Sequence, residues 1–193
     1  EKIRGMYDVK ICTDFHNTDQ LKKWSDRVDL IQIPAFLGRQ VSMLECAAQQ
    51  NKTIHLKKPQ FMSYSDVQIP IKILQKSGAQ KIFLTDRGTY SGEFLTMDSR
   101  SVEIMKAYLY EDPNVKILAD ITHPNKGQNL LADRLARNLG KAYIAAGADG
   151  IFLETHPNIQ QALCDGETML SLESASKYIT EFYLLKKFID ANK

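Results

Sequence analysis

The feature that most constrains this chain is a repeated alternation of short apolar runs with longer amphipathic ones. Strand-like runs occur at Val9-Lys10-Ile11-Cys12-Thr13, Leu30-Ile31-Gln32-Ile33, Thr53-Ile54-His55-Leu56, Lys81-Ile82-Phe83-Leu84, Val115-Lys116-Ile117-Leu118 and Gly150-Ile151-Phe152-Leu153. Helical signals lie between them. Asp66 to Lys76 carries Val67, Ile69, Ile71, Ile73 and Leu74, and Leu130 to Ala146 repeats Leu131, Leu135, Leu139, Tyr143 and Ala146 on one face. Gly78, Gly147 and Gly150 stand where helices end and strands begin.

Strands that alternate with helices imply a parallel sheet, because each return crossover needs a helix's length of chain. An open doubly wound sheet and a closed barrel both satisfy this. No Gly-x-Gly-x-x-Gly or phosphate-loop pattern follows any strand, which weakens the open nucleotide-binding sheet. The strand ends favour the barrel. They read Thr13-Asp14, Gln32 with Pro34, Lys57-Lys58, Asp86-Arg87, Asp120 with Thr122-His123, and Glu154-Thr155-His156. In a (β/α)₈ (TIM) barrel all such ends converge on one mouth, whereas in an open sheet only those at the switch point meet. Six strands do not close an eight-stranded barrel, so the expectation is a single α/β barrel domain over residues 1–193 with two βα units missing before Glu1.

The balance of charge excludes one class of function. Lys and Arg total 25 against 23 Asp and Glu, so a cationic site must come from local convergence and not from a basic face able to hold nucleic acid. No run approaches the roughly 20 apolar residues that span a bilayer, and the first residues are not a signal peptide. A cytoplasmic location without membrane partners follows by default. Cys12, Cys46 and Cys164 are widely spaced and odd in number, which signals neither a disulfide framework nor a zinc ribbon.

Two sets of residues could carry chemistry. Lys57, Lys58 and Arg87 are cations at the ends of apolar strands, suited to a phosphate and a carboxylate, or else paired internally with Asp14, Asp86 or Asp120. His123, Glu154 and Asp165 are legitimate ligands for a divalent metal and equally a hydrogen-bonded acid/base cluster. His16, His55 and His156 read as structural histidines. Trp24 and the run Tyr178, Phe182, Tyr183, Leu184, Leu185, Phe188 read as helix packing.

The motifs resemble those of the 3-deoxy-D-manno-octulosonate 8-phosphate synthase family over nearly the whole chain. The densest match is Leu30-Ile31-Gln32-Ile33-Pro34-Ala35-Phe36-Leu37-Gly38-Arg39-Gln40. Lys57-Lys58-Pro59-Gln60-Phe61, Asp86-Arg87-Gly88-Thr89, Asp120-Ile121-Thr122-His123, Glu154-Thr155-His156-Pro157 and Cys164-Asp165-Gly166 join it in order.

The resemblance implies an enzyme of lipopolysaccharide biosynthesis that condenses phosphoenolpyruvate with arabinose 5-phosphate. Lys57 and Arg87, with the backbone of Ala35, would hold phosphoenolpyruvate; Lys58 and Gln60 would stand beside them, and Gln32, Pro34 and Phe36 would shape the cavity. Arg39 would reach a neighbouring subunit's site in a homotetramer. Asp14 would lie near the sugar aldehyde, and His123 and Asp165, with Lys57, would complete the catalytic set.

Metal-using members take His123, Glu154 and Asp165 as ligands together with a Cys on a first strand that this chain does not contain. Cys164 before Asp165 resembles the metal-independent branch, so no cofactor is expected and a divalent metal is the alternative.

The chain departs from the family pattern in places. The Lys-Ala-Asn-Arg-Ser-Ser segment would precede Glu1. Ser91-Gly92-Glu93-Phe94-Leu95 replaces a longer Phe-Gly-Tyr-Asn-Asn-Leu, and Pro124-Asn125-Lys126-Gly127-Gln128 replaces a long Gly-rich loop. The short loops are expected to reflect loop residues absent from the chain. The sister 3-deoxy-D-arabino-heptulosonate 7-phosphate synthases typically read Gln-Ile-Gly-Ala-Arg where this chain has Gln32-Ile33-Pro34-Ala35-Phe36. A non-catalytic barrel that senses a phosphometabolite is the alternative from another class.

Overall fold

The computed structural model describes residues 2–92, 94–128 and 131–192. In chain order the elements are α1 (Lys2–Met6), β1 (Cys12–Asp14), α2 (Thr18–Trp24), β2 (Leu30–Ile33), α3 (Val41–Ala48), β3 (Thr53–Lys57), α4 (Gln68–Lys76), β4 (Ile82–Asp86), β5 (Thr89–Ser91), β6 (Phe94–Thr96), α5 (Ser101–Tyr108), β7 (Val115–Asp120), α6 (Ala132–Ala145), β8 (Gly150–Phe152) and α7 (Leu172–Asp190). Six strands form one sheet in the order β1-β2-β3-β4-β7-β8, every neighbouring pair parallel. β5 and β6 make a separate antiparallel hairpin between β4 and α5. Gly92 lies in the turn of this hairpin with a φ of 69° that suits glycine; Glu93 lies outside the described residues.

Side chains alternate in direction along a strand, and the register aligns them across the sheet. One face carries Ile31, Ile33, Ile54, Leu56, Ile82, Leu84, Ile117 and Ala119, all buried in the main core. The other carries Cys12, Asp14, Gln32, His55, Lys57, Thr85, Asp120 and Phe152. This second face is concave. Neighbouring strands lie about 4.8 Å apart, so in a flat sheet β3 and β8 would stand roughly 14 Å from each other. Instead the rings of His55 and Phe152 approach to 5.7 Å, and Lys57 reaches past β4 to Asp120 at 2.7 Å. The six strands therefore curl like part of a barrel wall.

The elements are those the sequence predicts, with shifted ends. β1 starts at Cys12 and not at Val9, because the Ile11 amide is taken by the Asp29 carboxylate at 2.8 Å and Val9 is exposed. The helix predicted from Asp66 begins at Gln68. The one predicted from Leu130, a residue outside the described set, runs from Ala132. Its buried face also differs. Ala132, Ala136, Gly140, Tyr143 and Ile144 are buried while Leu131 is exposed, because small residues let α7 pack close. Tyr178 and Phe182 of α7 are buried there, whereas Tyr183, Leu184 and Phe188 are exposed, so only part of that run packs. Among the described residues no helix is long and apolar enough to cross a membrane.

At the closest point of the α6–α7 contact, a methyl on Gly140 would sit 2.2 Å from the Phe182 ring. Gly140→Ala is expected to lower thermal stability by about 1 kcal/mol, overpacking of roughly 1–3 kcal/mol outweighing a helix-propensity gain of up to about 1. Adding Phe182→Leu is expected to cost less than the sum of the two single changes in a thermal-melt double-mutant cycle.

Candidate active site

Asp120 ends β7 and is fully buried on the concave face. Its Oδ1 accepts the Thr122 and His123 amides at 3.1 Å each and the Thr122 hydroxyl at 3.2 Å. Its Oδ2 accepts the Lys57 ammonium at 2.7 Å and lies 2.6 Å from His123 Nδ1. An aspartate can do this because its short side chain caps its own turn two and three residues on. One carboxylate therefore folds the loop after β7 and fixes both a cation and an imidazole. Burial alone would raise its pKa, but Lys57 and His123 outweigh that and hold the carboxyl well below the usual range.

Lys57 ends β3 and is only 3% exposed. Burial drives its pKa down, and the Asp120 charge opposes this. Its ammonium lies over the Phe152 ring and gives one of its three protons to Asp120, so two donors remain for a ligand. Arg87 is close enough for its charge to add to the lowering of Lys57, and its Nη1 is buried with no hydrogen-bond partner among the described residues. Two neighbouring cations, one with an unsatisfied buried nitrogen, need an anion between them.

On the other side of Asp120, His123 Nε2 faces the Glu154 carboxylate at 3.4 Å. Burial raises the pKa of Glu154. With Nδ1–H donating a hydrogen bond to the ionised Asp120, Nε2 and Glu154 can share a second proton, which is the arrangement of a proton-transfer pair.

The remaining residues named from the sequence separate into groups. Asp14 and Gln32 are hydrogen-bonded to each other at the ends of β1 and β2. Pro34 and Ala35 are buried in the turn that follows β2, and Phe36 projects from it, stacked on His16 at 5.8 Å. Gln60 is held by its carbonyl, which accepts the Tyr90 amide at 3.2 Å.

Arg39 is exposed and lines a surface cavity of about 220 Å³ with Phe61, Ile69 and Ile73. Asp165 has a left-handed φ of 48° and faces Lys126 at 3.4 Å. Among the described residues no three His, Cys, Asp or Glu side chains gather to hold a metal ion; His123 and Glu154 meet, and Asp165 faces Lys126 while its charge adds to the raising of Glu154.

Two strand-end charges differ from the expectation of a shared cavity. Asp86 falls on the helix-facing side of the sheet, where it accepts the Ser101 hydroxyl at 2.7 Å, the Tyr143 hydroxyl at 2.8 Å and the Gly88 amide at 3.0 Å. Lys58, fully buried, points into backbone oxygens of the following loops. His55 is structural, its Nε2 2.6 Å from Thr85 Oγ1 and its pKa pushed down to about 3 by burial. His156 likewise binds locally, to Asn158.

The sequence reading named Asp120 as a possible internal partner of the strand-end cations, which its contact with Lys57 matches, but did not count it among the site residues, although an Asp at a strand end with His three positions later carries the signal. It also passed over Phe152, which the curl of the sheet brings beside Lys57 and His123.

Asp120→Asn leaves the Lys57 ammonium buried without a counter-charge, and is expected to destabilise the protein by about 3–5 kcal/mol in urea unfolding. Because the native pKa of Asp120 is depressed, its stabilisation is full above the ordinary aspartate range and is lost as pH falls below about 4. The acid limb of a stability-against-pH curve should therefore be shallower in the Asn variant.

Residues 1–187 match the family model described as the DAHP synthetase I family. The chain is 33% identical to the 2-dehydro-3-deoxyphosphooctonate aldolase of Desulfotalea psychrophila, over 98% of this chain and 68% of the relative. It is 34% identical to the enzyme of the same name from Haemophilus influenzae strain KW20, over 94% of this chain and 65% of the relative. With that of Aliivibrio fischeri strain MJ11 the identity is 35%, over 98% and 68%. The chain thus spans about two thirds of the length of the curated relatives it matches. With its parallel sheet, its motifs at the strand ends and a match over nearly all its residues, the chain belongs to the DAHP synthetase I family.

Proposed function

We propose that this protein condenses phosphoenolpyruvate with arabinose 5-phosphate to give 3-deoxy-D-manno-octulosonate 8-phosphate and inorganic phosphate. The observation that carries the reading is the buried, unpartnered Arg87 Nη1 next to the two free donors of Lys57. A guanidinium and an ammonium fixed side by side on strand ends suit a compact ligand with both a phosphate and a carboxylate. The relatives' shared name, 2-dehydro-3-deoxyphosphooctonate aldolase, fits that chemistry.

In the reaction water adds at C2 of phosphoenolpyruvate, and C3 forms a bond to the aldehyde carbon of the sugar. The C2–O bond to phosphate then breaks and phosphate leaves with that bond's electrons. Lys57 and Arg87 hold the anion and orient C3, which is a large part of the catalysis because the two reactants must meet in one geometry. His123 and Glu154 move the protons of the water and the forming alcohol. Asp120 stays ionised and keeps His123 in the tautomer that leaves Nε2 free for the substrate. Asp14 and Gln32 stand at the edge of the concave face where the sugar would enter, and Asp165 lies across from them beside Lys126.

The finer architecture follows the same reading. The curled six-stranded sheet is the larger part of an eight-stranded barrel, closed by two further strands between the free edges of β1 and β8. Arg39, exposed beside its surface cavity, completes a neighbouring subunit's site in a homotetramer. The enzyme works in the cytoplasm without a metal, in keeping with the engagement of Asp165 by Lys126.

The test is phosphate release by the full-length, chelator-treated protein from phosphoenolpyruvate with arabinose 5-phosphate, and separately with erythrose 4-phosphate. Release with the first sugar is expected. Preference for the second moves the assignment to the heptulosonate reaction that the family's name covers, and activity restored only by a divalent ion overturns metal independence. Tight phosphoenolpyruvate binding with no release from either sugar makes the protein a sensor. Arg87→Met, which removes a charge-assisted bond worth about 2 kcal/mol, is expected to raise the KM for phosphoenolpyruvate about 30-fold.

A further inference from the structure

Lys58 follows Lys57 directly and turns the other way. Its side chain has no exposed surface, and no carboxylate lies within salt-bridge distance among the described residues. Four neutral oxygens surround its Nζ: the carbonyls of Pro59 at 3.2 Å, Met62 at 3.1 Å and Gly88 at 3.1 Å, and the Thr89 hydroxyl at 3.1 Å. Two of these belong to the loop after β3, one to the turn after β4 and one to the start of β5. An ammonium is costly to bury without a paired carboxylate, and here backbone dipoles, one hydroxyl, the Tyr64 ring at 4.9 Å and the more distant charge of Asp86 offset that cost. Such a group is retained where the geometry it imposes matters more than the stability it forfeits.

The geometry it imposes centres on the residue next to Arg87. The Gly88 carbonyl accepts from Lys58, while the Gly88 amide donates to Asp86 at 3.0 Å. Gly88 has a φ of 89°, and a methyl there would meet the Thr96 carbonyl at 3.2 Å and Leu95 at 3.3 Å. The backbone just beyond Arg87 is thus gripped on both sides of one glycine. Asp86 is itself fixed by Ser101 of α5 and Tyr143 of α6. The Tyr90 amide bonds the Gln60 carbonyl at 3.2 Å and makes a second tie between the same two loops.

We propose that Lys58 is a positioning residue: its ammonium clamps the loop after β3 to the loop after β4 and so sets the Arg87 guanidinium for the substrate's phosphate. This rests on the proposed role of Arg87 as a phosphate ligand. Lys58 itself does not touch the substrate. Its loss therefore weakens phosphoenolpyruvate binding through Arg87 and spares the chemistry at His123 and the sugar site.

The experiment compares the full-length protein with Lys58→Met, Thr89→Val and Leu74→Ala, reading phosphoenolpyruvate affinity by calorimetric titration, and KM and kcat by phosphate release. Leu74, a buried core residue of α4, serves as a destabilised control remote from the clamp. Lys58→Met is expected to weaken phosphoenolpyruvate binding about tenfold, with kcat and the KM for the sugar phosphate changed less than about twofold.

Thr89→Val, which removes one of the four acceptors, should shift the same constant about threefold. Leu74→Ala should lower the melting temperature and leave both KM values alone. Unchanged phosphoenolpyruvate affinity in Lys58→Met, or an equal loss in kcat and both KM values, overturns the clamp. If Lys58→Met does not fold, Thr89→Val decides, and wild-type affinity in that variant overturns it. Failure of the unmodified protein to bind phosphoenolpyruvate at all sinks the functional reading together with the inference, and so is distinct from failure of the clamp alone.

Discussion

The structure depends on one buried ion pair, Lys57 with Asp120. Each charge loses several kcal/mol of hydration on burial, and only close, well-aligned partners recover it. Their strands are not neighbours, since β4 runs between them. The 2.7 Å contact can form only if the sheet curls and brings the C-terminal ends of β3 and β7 together over β4. The same curl lets Phe152 from β8 lie under the Lys57 ammonium and beside the His123 ring. The shape of the wall and the charge of the site are therefore set by one interaction. With Asp120 in place, Lys57 and His123 have no freedom to drift, which is the condition for orienting two substrates.

The cations and carboxylates at the strand ends are nearly balanced in number, yet they are not paired off. Asp86 spends its oxygens on Ser101, Tyr143 and a backbone amide. Asp120 serves one cation and one imidazole. Lys58 finds neutral oxygens only. What remains is an excess of positive potential at Arg87 and on the open side of Lys57, surrounded by apolar strand residues. A low-dielectric wall strengthens that potential, so an anion that enters meets a field already organised for it.

Most of the architecture was legible in the sequence because it rests on periodicity. The alternation of Ile54, Leu56 and Lys57 with Ile82, Leu84 and Thr85 specifies strands buried on both faces, and Gly78 and Gly147, with φ of 112° and 91°, close the helices before them. The site was legible as a set of residue types. What periodicity could not supply was the choice of partner. Asp86 and Asp120 look alike at the ends of successive parallel strands, but Asp86 is in the odd register that faces α5 and α6 while Asp120 faces inward. In α6 the larger residues Leu131, Leu135 and Leu139 mark the apolar stripe, whereas the contact with α7 selects Ala132, Ala136 and Gly140. Packing distance decides that, and a pattern of hydrophobicity does not contain it.

The paired lysines show how far strand geometry reaches into function. Successive side chains on a strand point to opposite faces, so Lys57 and Lys58 cannot share a role even though a sequence reading places both in one cavity. Lys57, in register with Gln32 and Thr85, must face the concave side. Lys58, one residue on, must leave it, and it bonds there to three loop carbonyls and the Thr89 hydroxyl beside the mouth. A doublet of cations at one strand end is thus divided by the backbone itself: the first residue pairs with Asp120 on the concave side, and the second ties together the two loops beside Arg87.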